Sequence, residues 1–85
     1  MKLDLSNKAQ KQFKKLDSVT KRRLEKFFDE IETLENPRSR GSALVGNLAG
    51  LWRYRVGDYR LICHINDDEL VILCLEIAHR SKVYD

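Results

Sequence analysis

The first five residues alternate: Met1, Leu3 and Leu5 are apolar, Lys2 and Asp4 polar. That period of two predicts a short strand over Lys2–Leu5. Ala9, Phe13 and Leu16 then fall at i, i+4 and i+7, one apolar stripe on a helix that Ser6 or Asn7 can cap. Its expected span is Asn7–Leu16. Behind the capping pair Asp17-Ser18, the residues Leu24, Phe27, Phe28, Ile31 and Leu34 repeat at helical spacing. Asn36-Pro37 ends that run, because the residue before Pro avoids the α region. A second helix is therefore expected over Ser18–Glu35. Two helices sharing one apolar stripe need a sheet to pack on.

The sheet is written most clearly in Leu51–Ile65. Gly57-Asp58 suits a two-residue hairpin turn, since Gly accepts positive φ without steric cost. Strands are expected over Leu51–Val56 and Tyr59–Ile65, with Val56 facing Tyr59, Arg55 facing Arg60 and Tyr54 facing Leu61. Alternation then puts Trp52, Tyr54, Val56, Tyr59, Leu61, Cys63 and Ile65 on the core face. Arg53, Arg55, Arg60, Ile62 and His64 share the other face. After the polar turn Asn66-Asp67-Asp68-Glu69, a further strand is expected over Val71–Ala78. Pairing Ile65 with Leu70 would bury Glu76; pairing Ile65 with Val71 buries Val71, Leu73, Leu75 and Ile77. Burial favours the second register. It sets Glu76 opposite Arg60, sends Arg80 to the arginine face and puts Cys63 and Cys74 on opposite faces. Phe13, Leu24, Phe27, Ile31, Trp52, Leu61, Leu73 and Leu75 are the expected shared core. The fold class is α+β: a small, largely antiparallel four-stranded sheet with an N-terminal αα-hairpin on one face.

An 85-residue chain is one domain, 1–85. It has no apolar run long enough for a membrane span and no signal-peptide pattern, so a cytoplasmic location is expected. Two Cys without a CxxC spacing suggest reduced thiols rather than a disulfide or a zinc site. The net charge of +3 is modest, yet it is unevenly spread. Between Pro37 and Arg60 the chain carries Arg38, Arg40, Arg53, Arg55 and Arg60 against Asp58 alone. Arg is the residue suited to bidentate phosphate recognition, so nucleic acid is an expected partner. Arg55 and Arg60 facing each other sharpens this, because like charges at a cross-strand pair repel and a bound phosphate would relieve them. Lys8, Lys11, Lys14 and Lys15 read more simply as a solvated helix face. Lys21, Arg22 and Arg23 sit at the positive end of the second helix, against its dipole. The stretch Arg38–Gly50, with Gly41, Gly46 and Gly50, contains neither GxxxxGK[ST] nor GxGxxG, so no nucleotide-cradling loop is indicated.

The order strand–helix–helix–Gly-rich loop–three strands, the segment Leu51-Trp-Arg-Tyr-Arg-Val-Gly-Asp-Tyr-Arg-Leu61, and the ending His79-Arg-Ser-Lys-Val-Tyr84 together resemble the RelE branch of the RelE/ParE toxin superfamily. The resemblance spans essentially the whole chain. It implies a toxin of a type II toxin–antitoxin system, held inactive by a cognate antitoxin protein and meeting operator DNA only through the antitoxin complex. It implies a ribosome-dependent mRNA endoribonuclease that cuts in the A site without metal or cofactor. There the message's own 2′-OH attacks the adjacent phosphate. By motif, the RNA-binding residues fall on Arg53, Arg55, Arg60 and Arg80, and the catalytic set on Arg55, Arg60, Arg80 and Tyr84, to which His79 is added below as the base. One departure is informative. The family's best-known member has Lys at the positions of Arg53 and Arg55, where a Lys is the proposed base. Arg55 stays protonated and cannot take that role. His79, with a suitable intrinsic pKa, is the expected base if the chain leaves strand geometry at Ala78. Glu76, His64 or electrostatics alone are the alternatives. A ParE-like gyrase inhibitor, or a degenerate toxin that only binds antitoxin, would share this fold.

Overall fold

Two side-chain caps start the helices. Ser6 Oγ accepts the Ala9 N–H at 3.1 Å and opens α1 (Asn7–Lys14). Asp17 Oδ1 accepts the Thr20 N–H at 3.3 Å and opens α2 (Ser18–Thr33). The bond from Thr20 also holds the Asp17 carboxyl below its ordinary value. Both helices stop two residues short of the expected ends. The structure, a computed structural model, describes residues 1–82; Tyr84 lies outside the described residues.

The strands are β1 (Lys2–Leu5), β2 (Ser42–Ala43), β3 (Trp52–Val56), β4 (Tyr59–Asn66) and β5 (Val71–His79). They form one five-stranded sheet in the order β1-β5-β4-β3-β2, parallel between β1 and β5 and antiparallel elsewhere. The expected sheet had four strands. The fifth, β2, comes from the Gly-rich stretch read as a loop, where Ser42 pairs with Arg53 and Ala43 with Trp52. Gly41, at φ 83°, makes that approach possible. A Cβ there would overlap the Arg53 carbonyl oxygen and lie 2.6 Å from Trp52 Nε1. Helices on one face of a mostly antiparallel sheet make this an α+β domain.

The hairpin has the expected register, with Val56 on Tyr59, Arg55 on Arg60 and Tyr54 on Leu61. Gly57 takes the positive φ of 58°. Tyr54, Leu61 and Cys63 are buried beneath Leu24, Phe27 and Ile31 of α2. Phe13 and Trp52 pack at the margin of this core.

The register of β5 differs from the expectation. Ile65 pairs with Ile72 and Cys63 with Cys74, and then the ladder slips, so that Ile62 pairs with Glu76 and Arg60 with Ala78. Leu75 is the extra residue of a β-bulge. Ile72, Cys74 and Ile77 are the buried residues of β5, while Val71, Leu73 and Leu75 remain half-exposed. Four expectations fall together. Leu73 and Leu75 leave the core, Glu76 no longer opposes Arg60, Cys63 and Cys74 share one face, and β5 keeps strand geometry through His79. The physical reason is that neither unbroken register suits the sequence: one buries Glu76 and the other exposes Ile72. The bulge changes phase between them. Its backbone is satisfied from α1. Ser6 N–H donates to the Cys74 carbonyl at 2.9 Å, Ser6 Oγ donates to the Leu75 carbonyl at 2.9 Å, and Gln12 Oε1 accepts the Ile77 N–H at 2.7 Å. Both cysteines are free and fully buried; the neighbouring Cys74 thiol, and then burial, push the Cys63 thiol well up.

Candidate active site

The hairpin turn gathers charge at one end of the sheet. Arg55 and Arg60 are direct cross-strand partners. Arg80, the first residue past β5, is drawn to the same end by Asp58. Its N–H donates to the Asp58 carbonyl at 2.7 Å, and its Nη1 lies 3.6 Å from Asp58 Oδ1. Arg55, Arg60 and Arg80 line a cleft of about 250 Å³ with Gly57, Asp58 and Tyr59. Arg60 forms no ion pair among the described residues. A second cleft of about 490 Å³ lies along the outer edge of β3, where Arg40, Arg53 and Arg55 meet Gly41, Ser42, Phe27 and Tyr54. Arg53 Nη2 donates to Ser42 Oγ at 3.0 Å. Arg55 lines both clefts, so the guanidinium groups form one band across the turn and the β3 edge.

Several members of this band carry partners that orient them. Arg40 donates to Glu30 at 3.2 Å and stands 4.8 Å over the Phe27 ring. Arg23 Nη1 lies 2.7 Å from where a Gly57 Cβ would stand, and Lys26 lines the adjoining cleft with Arg40 and Arg55. Arg38 is different: it makes a two-pronged pair with Asp67 at 2.9 and 2.9 Å. That pair lowers the Asp67 carboxyl and raises Arg38. It ties the post-helix turn to the β4–β5 turn.

The remaining candidates stand apart. His79 pairs with Tyr59, and the two rings meet edge-on at 5.2 Å and 87°. It is not among the residues lining either cleft. Its Nδ1 accepts the Ser81 N–H at 3.2 Å and lies 2.8 Å from Ser81 Oγ. An N–H can only donate, so Nδ1 carries the lone pair and the proton of the neutral ring is on Nε2. His64 pairs with Leu73, toward the far end of β4. Glu76 pairs with Lys8 at 3.3 Å. Among the described residues, no three His, Cys, Asp or Glu side chains are grouped to hold a metal ion. The site thus offers fixed positive charge and hydrogen-bond donors, the provision needed to bind phosphate and to stabilise added negative charge on it.

Residues 3–84 match the family model described as ParE toxin of type II toxin-antitoxin system, parDE. The chain belongs to that family. It is also similar to the mRNA interferase toxin RelE of Escherichia coli (strain K12), 29% identical over 86 residues that cover 96% of this chain and 87% of the relative. The fold matches the toxin–antitoxin complex RelBE2 of Mycobacterium tuberculosis with a TM-score of 0.82, at 25% identity over 92% of this chain and 95% of that one. The archaeal RelE–RelB complex of Pyrococcus horikoshii OT3 matches with a TM-score of 0.74, at 28% identity over 96% and 97%. Together these make the protein a RelE-like toxin of the RelE/ParE superfamily.

In this RelE-like toxin, pattern reading located Arg53, Arg55, Arg60 and Arg80 but missed the parts that complete the band. Arg40 belonged to a run noticed only for its Arg content. Arg23 was visible as a cation placed against the α2 dipole; the structure sets it beside the hairpin turn. Asp58 was seen as a turn residue and as the single acid in an arginine-rich window, without its hold on Arg80.

Proposed function

We propose that this toxin is a ribosome-dependent endoribonuclease that cuts mRNA in the A site. The observation that carries the reading is the placing of Arg55, Arg60 and Arg80 around one cleft, with Arg55 against Arg60. Two opposed guanidinium groups are a costly arrangement that a phosphate between them converts into an attractive one. In the reaction the 2′-oxygen bonds to phosphorus and the bond to the 5′-oxygen breaks. The products are a 2′,3′-cyclic phosphate and a 5′-hydroxyl. The pentacovalent transition state gains negative charge, and preplaced guanidinium groups stabilise it where it forms. Arg53 and Arg40 would hold the neighbouring strand backbone, and Tyr84 would stack on a base. His79 is the weaker part of this reading, because β5 keeps strand geometry through it; to act as base, its Nδ1 must exchange the Ser81 N–H for the substrate hydroxyl. If it does not, the arginines carry the reaction by charge alone.

A free basic band needs masking in the cell. The relatives solved as RelE–RelB complexes support a cognate antitoxin for this chain; the positive charge of the band favours carboxylates on the antitoxin's side. A translation extract programmed with a defined message tests the function. Cuts confined to ribosome-bound message with cyclic-phosphate ends are the expected result. The family description as a ParE toxin supports a second reading, inhibition of DNA gyrase. Gyrase-dependent DNA breaks with intact message would establish that reading and reject the nuclease.

A further inference from the structure

Among the described residues, Asp58 is the only acid lining the cleft of Arg55, Arg60 and Arg80. It meets Arg80 twice, through its carbonyl at 2.7 Å and its carboxylate at 3.6 Å. It is held by the tight turn itself, closed by the Val56–Tyr59 pair with Gly57 at positive φ. The ion pair is 71% and 65% exposed, and pairs that open contribute little to stability. A carboxylate placed where phosphate should bind opposes binding, and the turn needs the Asp58 backbone rather than its charge.

We propose that Asp58 is a positioning residue for Arg80. Its carbonyl fixes where the chain leaves β5, and its carboxylate draws the guanidinium to the cleft mouth, at the cost of weaker RNA binding. The inference rests on the nuclease reading above. It assigns Asp58 two opposite effects. Replacing Asp58 by Asn keeps the turn and the carbonyl but deletes the charge. RNA should then bind more tightly, while Arg80 should lose its alignment on the scissile phosphate.

The experiment is single-turnover cleavage on ribosomes programmed with a defined message, for wild type, Asp58→Asn, Arg80→Ala and the double variant. Asp58→Asn should lower the half-saturating concentration by ~3–5-fold, as loss of one nearby like-to-phosphate charge implies. It should slow the saturated rate by about 10–10²-fold, the effect of a misplaced catalytic group. In the Arg80→Ala background the same change should leave the rate within about twofold, because Asp58 acts through Arg80. A purely structural role would not move affinity and rate in opposite senses. Asp58→Ser, with melting curves for each variant, separates loss of charge from loss of fold. An unchanged rate in Asp58→Asn, a rate loss as large in the Arg80→Ala background, or weaker binding with slower cutting would each overturn the assignment while leaving the nuclease reading intact. Message left whole by the wild-type chain would remove the nuclease reading, and this inference with it.

Discussion

Arg60→Ala is the substitution for which activity and stability should move in opposite directions. Arg60 stands directly across from Arg55 and forms no ion pair among the described residues. Removing one of two opposed like charges should return about 0.2–1 kcal/mol. Loss of the half-buried aliphatic stem offsets part of that gain. For a domain of this size 1 kcal/mol corresponds to ~4–8 °C in melting temperature, so Tm should hold or rise by up to a few degrees. The gain should shrink as salt shortens the Debye length from ~10 Å at 0.1 M toward ~3 Å at 1 M. Cleavage should behave oppositely. Deleting a preorganised donor to a charged transition state costs roughly 10²–10³ in rate. The assay pairs thermal melts at low and high salt with single-turnover cutting of ribosome-bound message. A variant that melts well below wild type would show that Arg60 holds the sheet together. One that cuts within about threefold of wild type would show that the cleft is not where phosphate reacts.

Three further outcomes are expected. His79→Gln keeps polarity but exchanges no proton near neutral pH; as a base, its loss should slow cutting by about 10²–10⁴ and remove the pH dependence near 6–7, whereas an unchanged rate and profile would confine His79 to organising the tail. Burial pushes the Tyr54 phenol from 10.0 up to about 12, with Cys63 adding to the shift, so its stabilisation is complete below pH 10, where the unfolded phenol ionises, and is lost as pH rises toward 12; phenolate absorbance should show a late-titrating tyrosine that Tyr54→Phe removes. Leu70 is exposed and holds a left-handed φ of 57°, a conformation that costs an ordinary side chain roughly 1–2 kcal/mol, so Leu70→Asn should raise Tm by several degrees in a thermal melt.

The hairpin was legible because everything that determines it is local. Gly57 supplies the turn and the period of two sorts its faces, so burial and register agree from Trp52 to Ile65. The helices were legible for the same reason, with Ser6 and Asp17 within three residues of the amides they cap. The bulge in β5 was not. Its partners Ser6 and Gln12 lie 69 and 65 residues away in the chain, and no periodicity over Val71–Ala78 announces a change of phase. The same limit hid β2, a strand of two residues defined only by Trp52 and Arg53 across from it. The charge order of α2 was visible but unexplained. At its acidic end Glu30 holds Arg40 and Glu32 accepts the Leu3 N–H at 2.8 Å, and both contacts are tertiary.

The bulge also decides the charge of the site. In an unbroken ladder that buried Ile77, Glu76 would oppose Arg60 and neutralise it. The slip sets Glu76 against Ile62 instead, two residues along the strand, a displacement of about 7 Å. Glu76 then meets Lys8 of α1, and Arg60 is left facing Ala78 and Arg55. Arg80 reaches the arginine end in either register, because the slip restores the alternation before Ala78. The extra residue at Leu75 therefore does more than reconcile Ile72 with Ile77 in the core. It withdraws a carboxylate from the arginines and leaves Asp58 as the one acid among them in the described residues.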